Sequence, residues 1–546
     1  MQEIQREQEW KDIHNRALLN ESFVEVSLEI TDPDALQDAE AEDNGSIYIS
    51  DSYPVAETMK RTTHPYCTLE QNLWCLDGRR QAIPESDFMD DTYTSDVLSD
   101  ETCVFPSKRP TITILFDKIH DNLVPGITVT WSETYNEFAD TFEVVVYKEE
   151  QVILTKEVTG NKSIKAIVPF DIVNYDRVDI IIKKWCLPHR RARVEEILMG
   201  IDKVYGKGEL FGYSHKQFVD PLSTSLPKSE ITFSVDNVDG EYDPNDPQSL
   251  SRYLMERQEL KVRYGLKMDD GSIEWIDGGV FFLSEWYAKQ NGMTADFTAR
   301  DMFEFMTDVY NEHQSYYYFG QTRDLYTLAE RLLNGALIKR GGNYRDMYVI
   351  DESLKNITTS APLPKDTIAN NLQLIANAAR CVLYQDRNGV IRIEPFNNVD
   401  TDYEISSFNS YSKSEISLSK PLRQVKVKMD TYEITGTNVG TITSTEVAYP
   451  ADADIPTGAT GETIVVDNPL VTDEDNARAL GEWMYSYLKN RMTLESAWRA
   501  DVRLDALDIV HNANAHNINR VRMTDVEYTY NGAFRGTGKG KVIGNG

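Results

Sequence analysis

The sequence predicts a mainly β protein with α+β parts. Short runs rich in Val, Ile, Thr and aromatic residues recur along the chain, and turn signals such as NLVPG and TGNKS separate them. Segments with the apolar spacing of an amphipathic helix follow only after about residue 320. The length of 546 residues corresponds to roughly three to four domains, and the hydrophobic content of 41% is sufficient for buried cores.

The charge balance argues against two function classes. The formal net charge is −32, from 56 Lys and Arg against 88 Asp and Glu. Binding duplex DNA requires clustered cations that release counterions from the phosphates. Adhesion to an anionic membrane surface requires cations as well. We therefore expect neither a duplex-binding protein nor a membrane-surface protein.

The sequence shows no targeting segment. The beginning, MQEIQREQEWKDIHNRALL, lacks the apolar stretch of a signal peptide, and no run approaches 18 apolar residues. The five cysteines form no CxxC pair, which argues against a disulfide framework and a zinc ribbon. We expect synthesis in a reducing cytoplasm and no membrane span.

Residues 1–104 predict strands followed by an irregular segment. FVEVSLEI and SIYISD, within residues 18–57, have strand composition, and the acidic run DPDALQDAEAEDNG between them predicts a solvated loop. Residues 58–104 are typical of an ordered linker, and a small extra domain is the alternative.

Residues 105–203 predict a β-sandwich. Six strand-like runs, from TITILFD to VDIIIKKW, follow one another at a spacing of roughly 8–12 residues with no helical pattern between them. The closing RARVEEILMGI predicts one further strand.

Two β-rich blocks with a helical unit between them are predicted for the remainder. The first block covers residues 204–320, the α/β unit of helix and hairpin covers 321–400, and the second block with a long helix covers 401–546. In the helical unit, DRNG lies between two strand-like runs and predicts a hairpin.

Three helices are predicted from residue spacing and N-cap residues. The first has apolar residues at helical spacing, namely Leu325, Leu328, Leu332 and Leu333. Asp366 is the predicted N-cap of the second helix, and Thr472 that of the third.

The search for catalytic or metal-binding motifs finds no HExxH, GxSxG or P-loop. His511 and His516 are close in sequence, but a metal site there requires carboxylates from elsewhere. Asn237 and Asp239 precede Gly240 in a calcium-loop-like segment whose first position is Val235, which has no side-chain ligand. An Asx- and Pro-rich turn is the favoured interpretation of that segment.

Aromatic and basic residues of the sandwich segment form a candidate carbohydrate-binding set, because flat rings and hydrogen-bonding groups together suit sugars. The candidates are Trp131, Tyr135, Trp185, His189, Arg190 and Arg191. The alternative interpretation places the tryptophans in the core and pairs or solvates the arginines. SYYYFG at 315–320 predicts a packing or subunit interface.

Four stretches, in order, resemble the phage tail hub family, also described as tail-associated or baseplate-hub proteins. They are EITFSVDNVDGEYDPNDPQSLSRYLMERQELKVRYG, WIDGGVFFLSEWYAKQNGMTADFTARDMFEFM, IANNLQLIANAARCVLYQDRNGVIRIEP, and NARALGEWMYSYLKNR with RLDALDIVHN. The resemblance covers roughly residues 205–546. One departure is Leu507-Asp508 where the family usually has Gly-Asp, so we expect a different local turn before the last core strand.

The resemblance implies tail-tube-like β-barrels, two per subunit, and a structural role without catalytic residue, metal or cofactor. Strand material at 18–57 is available to complete the first barrel. Residues 105–203 resemble an inserted galactose-binding-like jelly-roll sandwich; many members of that fold bind sugars and many only brace, so a host surface glycan is a candidate partner.

The same resemblance implies a virion protein of the tail tip or baseplate, made in the cytoplasm of a host bacterium. It implies a homotrimeric ring with a distal tail or tube protein above it and a tip, spike or receptor-binding protein below. The net charge of −32 suits a pore through which a genome passes without specific binding. The competing predictions are a carbohydrate-binding adhesin and a virion-associated cell-wall glycan hydrolase.

Overall fold

The structure is a computed structural model. It describes residues 6–14, 16, 20–56, 66–68, 70, 73–74, 90–106, 108–288, 292–310, 321–337, 347–436, 439–458, 460–513 and 518–543. The predicted class, mainly β with α+β parts, is confirmed. The SYYYFG segment at 315–320 and His516 lie outside the described residues.

The N-terminal segment supplies strands to separate sheets. Its elements are α1 (Glu7–His14), β1 (Ser22–Thr31), α2 (Pro33–Asp38), β2 (Glu40–Asp43), a 3-10 helix (Tyr53–Ala56) and β3 (Tyr93–Leu98). The prediction of a solvated loop for the acidic run is wrong, because α2 and β2 form there. Asp32 caps α2 by accepting a hydrogen bond from the Asp34 backbone N–H, and Pro33 occupies the first turn.

A sandwich of two sheets follows. Its strands are β4 (Thr111–His120), β5 (Val124–Thr130), β6 (Ala139–Lys148), β7 (Gln151–Thr159), β8 (Lys165–Ile172), β9 (Tyr175–Trp185), β10 (Arg191–Val194) and β11 (Glu196–Leu198). One sheet has the order β2-β4-β9-β6-β7 and the other β11-β5-β8, while β10 pairs with β3. Apolar residues of both sheets form one core.

The predicted single strand over RARVEEILMGI is instead three short strands, namely β10, β11 and β12 (Gly200–Tyr205), in three different sheets. Gly200 makes the last crossing possible, because a Cβ there would lie 2.2 Å from the Ile30 carbonyl oxygen. The chain leaves the sandwich at this glycine and enters the largest sheet.

The middle of the chain contains long strands, then helices and short strands. The long strands are β13 (Leu210–Phe218), β14 (Lys228–Asp236), β15 (Glu259–Lys267), β16 (Ile273–Ala288) and β17 (Thr294–Arg300). The following elements are β18 (Val309–Tyr310), β19 (Arg323–Asp324), α3 (Leu325–Ala336), β20 (Tyr348–Ile350), β21 (Thr358–Thr359), β22 (Asp366–Thr367), α4 (Ile368–Ala378), β23 (Val382–Gln385) and β24 (Ile391–Glu394). Additional 3-10 helices cover Leu250–Tyr253, Met302–Phe305 and Glu352–Asn356.

The C-terminal part returns to long strands. Its elements are β25 (Asp400–Ile405), β26 (Glu415–Leu418), β27 (Leu422–Gly436), β28 (Val439–Tyr449), a 3-10 helix (Asp452–Asp454), β29 (Glu462–Asp467), α5 (Glu474–Leu488), β30 (Met492–Arg499), β31 (Ile509–Ala513), β32 (Ile518–Tyr530) and β33 (Phe534–Val542).

One sheet of 13 strands joins distant parts of the chain. Its main path is β12-β1-β15-β16-β17-β14-β13-β32-β33-β30-β26, and β31 pairs with both β32 and β25. We call β1 and β12–β17 the N-terminal half of this sheet, and β25, β26 and β30–β33 its C-terminal half. A single hydrophobic core contains residues of both halves.

The three main helices share a second core with the β23–β24 hairpin and with β27. β27 lies between β28 and β29 in a separate three-stranded sheet, which packs against α5. The predicted helical face of α3 is confirmed, since Leu325, Leu328, Leu332 and Leu333 are all buried.

The predicted N-caps of α4 and α5 are each one residue too early. Thr367 caps α4, because its side chain accepts a hydrogen bond from the Asn370 backbone N–H, and Asp473 caps α5 in the same way. Thr472 instead accepts a hydrogen bond from the Ser360 backbone N–H, at 3.0 Å.

Within the part of the chain that the structure describes, none of the helices has the length and apolar content needed to cross a membrane.

Candidate functional site

The two tryptophans of the candidate carbohydrate set lie in the sandwich core. Trp131 and Trp185 have no exposed surface. Their ring centroids are 5.9 Å apart in an edge-to-face arrangement, and Phe142 packs on Trp131 at 5.0 Å. In this structure neither indole ring is accessible to a sugar. Both tryptophans occupy the core positions that the alternative interpretation gives them.

The nearby basic residues belong to an ion-pair network that is almost completely buried. Arg193 pairs with Glu70, and its Nη1 lies 3.1 Å from Glu70 Oε2 and 3.5 Å from Glu137 Oε2. The Arg190 Nε lies 2.9 Å from Glu137 Oε1. Trp185 donates its indole N–H to Glu137 Oε2, at 2.9 Å. Paired charges of this kind tie a loop to the sandwich and leave few donors for a ligand.

Burial raises the pKa of Glu137, and the Trp185 hydrogen bond and the Arg193 and Arg190 charges oppose that rise. The candidate Arg191 donates to the Ser95 carbonyl oxygen, at 2.8 Å. The Tyr135 ring lies under the Arg193 guanidinium, with 4.2 Å from its centroid to Cζ.

His189, the last candidate, occupies a left-handed turn with φ of 55°, and its backbone N–H donates to the Ser99 carbonyl oxygen. The six candidates therefore do not share one exposed surface. Sequence reasoning missed Glu70 and Glu137, because Glu70 lies in an irregular segment 123 residues from its partner Arg193.

The calcium-loop-like segment forms a turn. Asn237 is buried, accepts a hydrogen bond from the Tyr242 backbone N–H at 2.7 Å, and donates to the Gly292 carbonyl oxygen. Its side-chain oxygen therefore closes the turn. The His511 Nε2 lies 3.0 Å from the Asp400 Oδ2. Arg520 also binds the Asp400 carboxylate. The described residues contain no cluster of three or more His, Cys, Asp or Glu that could hold a metal ion.

The most distinctive geometry is the joint between the two halves of the large sheet. β13 and β32 pair antiparallel from Tyr213 opposite Tyr530 to Phe218 opposite Asp525. Below the joint, Tyr264 donates or accepts hydrogen bonds with Tyr213 at 2.7 Å and with His215 at 2.9 Å. Burial lowers the pKa of His215 to about 3, so its imidazole is neutral in the folded protein.

Arg387, in the turn of the β23–β24 hairpin, bridges β16 and the loop between β30 and β31. It is buried and its Nε lies 2.8 Å from Asp505 Oδ1. Nη1 donates to the Asp277 carbonyl oxygen in β16, at 2.9 Å, and Nη2 donates to the carbonyl oxygens of Val502 and Leu504. One side chain thus contacts a strand of the N-terminal half and the loop that joins two strands of the C-terminal half. The sequence predicted the DRNG turn but gave no signal for this contact.

The C-terminal half ends in an open edge. All four residues of β26 are exposed, and among the described residues β26 pairs only with β30. Ile416 and Leu418 are 57% and 63% exposed. An exposed edge with apolar side chains is a surface on which another strand can pair.

Neither the protein-family models nor the curated protein sequences include a match to this chain. This chain is similar to several solved structures. One is the 43 kDa tail protein of prophage MuSo2 from Shewanella oneidensis, which is 12% identical in sequence. The match covers 62% of this chain and 95% of that one, with a TM-score of 0.40. A tail protein from Neisseria meningitidis MC58 has 11% identity, coverage of 62% and 93%, and a TM-score of 0.41. Prophage tail protein gp18 from Listeria monocytogenes EGD-e has 11% identity, coverage of 62% and 91%, and a TM-score of 0.38.

Proposed function

We propose that the chain is a structural protein in the tail of a phage or of a phage-tail-like particle, and that it acts there as a hub ring rather than as an enzyme. The observation that carries the proposal is the 13-stranded sheet, which runs through the β13–β32 joint over a single core. Backbone hydrogen bonds across the joint make the two halves one continuous sheet. A continuous sheet of this size suits a subunit that surrounds a channel.

The four stretches that resemble the hub family support this proposal by their positions. The first two form β14 to β17, in the N-terminal half of the sheet. The third forms α4 and the hairpin that carries Arg387, and the last forms α5 and β31. The four stretches therefore form strands on both sides of the joint and the hairpin that carries Arg387.

In a ring of copies, a strand of the neighbouring copy would pair with the exposed edge of β26. Ile416 and Leu418 on β26 would be covered when a neighbouring copy pairs with this edge. We infer a homotrimer at the tail tip or baseplate, with a tail or tube protein on one face and a tip or receptor-binding protein on the other. Passage of the phage genome then requires that the pore not bind DNA.

The test combines mass and position. Light scattering or mass photometry of the purified chain is expected to show a species three times the 62.3 kDa chain mass. Imaging of intact particles with a labelled chain is expected to place it at the distal end of the tail. A monomer that clears cell-wall substrate would support the hydrolase alternative, and a monomer that binds glycans would support the adhesin alternative; either result contradicts the hub.

A further inference from the structure

A cavity lies on the helical side of the large sheet, distant in sequence from the sandwich. It has a volume of about 590 Å³, within the range of small-molecule sites. Arg380 follows α4 at one wall, and Phe396 follows β24. Trp483 and Tyr487 of α5 and Arg522 of β32 complete it.

The charge of this cavity is opposite to that of the chain. Two arginines line it, and no Asp or Glu is among its described lining residues, although acidic residues outnumber basic ones by 88 to 56 overall. The side-chain partner of Arg380 among the described residues is the amide oxygen of Asn476, which is neutral. The guanidinium of Arg380 therefore has no carboxylate partner in the described part of the chain.

Arg522 is 1% exposed and also contacts neutral oxygens only. Nη1 donates to the carbonyl oxygens of Asn397 at 2.8 Å and Leu507 at 3.2 Å, and Nη2 donates to Asn398 Oδ1 at 2.7 Å. Its Nε has no hydrogen-bond partner among the described residues, and neither does the buried Tyr487 hydroxyl. Burial lowers the pKa of both Arg380 and Arg522. The charges of Asp508 and Asp400 oppose this effect at Arg522 but do not outweigh it, so an anionic ligand would stabilise the site.

Neutral polar residues and a flat apolar wall form the rest of the lining; the polar residues are Ser353, Asn398, Ser486 and Asn490. The rings of Phe396 and Trp483 stack with 5.9 Å between centroids and 25° between planes. The Arg522 guanidinium lies 4.4 Å from the Phe396 ring centroid on this wall. A ligand that fills the cavity would therefore need a flat or apolar group beside its charge.

We propose that this cavity is a binding site for a carboxylate attached to a flat apolar group. Arg380 would pair with the carboxylate, and the Phe396–Trp483 wall would contact the apolar group. A carboxylate is favoured over a phosphate because Arg380 is the arginine with several uncommitted guanidinium donors, whereas Arg522 keeps only its buried Nε uncommitted among the described residues, and one guanidinium matches one carboxylate. The free acid and the C-terminal residue of a partner chain share this chemistry. The proposal does not depend on the tail assignment.

The test is calorimetric titration of the full chain with phenylacetate, with its neutral isostere phenylacetamide, and with inorganic phosphate. We expect phenylacetate to bind at least about tenfold more tightly than phenylacetamide, because only the acid pairs with Arg380. Arg380→Gln is expected to weaken phenylacetate binding by about tenfold or more. The matched control is Arg478→Gln, since Arg478 lies on the exposed side of α5 and pairs with Glu474 at 2.8 Å.

Thermal melting is first used to show that each variant is folded. Equal binding of acid and amide, phosphate binding without phenylacetate binding, or unchanged affinity in Arg380→Gln would each overturn the proposal. So would the absence of binding at about 10 mM phenylacetate. If Arg380→Gln fails to fold, Arg380→Lys keeps the charge and is expected to bind phenylacetate more weakly, because a lysine cannot pair in the bidentate manner. Unchanged affinity in that variant would also overturn the proposal.

Discussion

Leu507 holds a backbone conformation that glycine adopts without strain. Its φ is 79°, while its N–H donates to the Met523 carbonyl oxygen at 2.7 Å. This is the position at which the hub family usually has glycine. A left-handed conformation costs a non-glycine residue about 1–2 kcal/mol. Leu507 therefore carries backbone strain at the position of this departure, and the expectation that the turn differs from that of the family stays a prediction.

We predict that Leu507→Gly changes the free energy of unfolding by less than about 1 kcal/mol, because released strain offsets the lost contacts of a half-buried side chain. Leu507→Val keeps most of the apolar side chain but places a β-branched residue at positive φ, so it is expected to destabilise by more than about 1 kcal/mol. Urea denaturation measures both. A milder effect of valine than of glycine would show that strain is not present at this position.

At the scale of single elements, β13 joins the two halves of the large sheet, because it pairs with β14 on one side and with β32 on the other. His215 is a buried titratable residue of this strand. The Nδ1 of His215 lies 2.9 Å from the Tyr264 hydroxyl and its Nε2 lies 3.0 Å from the Ser229 hydroxyl. The pKa of His215 is about 3 in the folded protein, against an ordinary value of 6.5. The unfolded chain therefore takes up a proton below about pH 6.5 that the folded chain does not.

The neutral His215 contributes to the free energy of unfolding above pH 6.5. This contribution is lost as the pH falls from 6.5 toward the folded-state pKa of about 3. Between pH 7.5 and 5.5 we expect the wild type to lose about 1.4 kcal/mol more stability than His215→Gln, whatever the offset between them at pH 7.5. Urea denaturation at the two pH values gives this difference. His511→Gln, at a half-exposed site in β31, is the control. Parallel pH profiles of wild type and His215→Gln would contradict the prediction.

β1 is a second element whose role depends on distant partners. It lies between β12 and β15, with Leu28 opposite both Lys203 and Leu260. Leu28 has no exposed surface, although the strand precedes the whole sandwich in sequence.

We predict that Leu28→Ala lowers the free energy of unfolding by about 2–5 kcal/mol, because it opens a cavity in the core of the large sheet. Val204→Ala on the neighbouring β12 is the matched control, since Val204 is 42% exposed, and should change it by less than about 0.5 kcal/mol. Similar effects of the two substitutions in chemical denaturation would mean that β1 is peripheral.

On the scale of the whole molecule, Arg387 connects the helical unit with both halves of the sheet. Arg387→Gln would remove the guanidinium that binds the Asp505 carboxylate and three carbonyl oxygens, of which that of Leu504 keeps the Tyr528 hydroxyl as a donor. We expect a loss of about 3–5 kcal/mol of unfolding free energy. Arg392→Gln in the same hairpin removes a half-exposed pair with Asp386 and should cost less than about 1 kcal/mol. A loss below about 1 kcal/mol for Arg387→Gln in denaturation curves would contradict this role.

Association of copies is the other property of the whole molecule. The double substitution Ile416→Lys and Leu418→Lys places charges on the exposed edge of β26 and is expected to convert the proposed trimer to monomers in mass photometry. Val152→Lys and Ile153→Lys in the sandwich, which replace residues that are 56% and 44% exposed, form the matched control. An unchanged trimer in the β26 variant would place the contact between copies elsewhere.

The features that the sequence alone determined are those with local causes. Strand composition and turn residues predict the mainly β class. Apolar spacing predicts α3, and DRNG predicts the β23–β24 hairpin. The caps of α4 and α5 were placed one residue early, because adjacent Asp and Thr residues are both good caps and only tertiary contacts choose between them.

Only the tertiary structure decided which distant segments meet. β13 pairs with a strand about 300 residues later, and β1 is inserted between strands that follow the sandwich. Trp131 and Trp185 are buried rather than exposed, and Arg193 finds Glu70 in an irregular segment. Period-2 patterns identify the face of a strand that is buried but not the strand beside it. Backbone hydrogen bonds are the same for every residue type, so long-range pairing depends on the packing of the complete core.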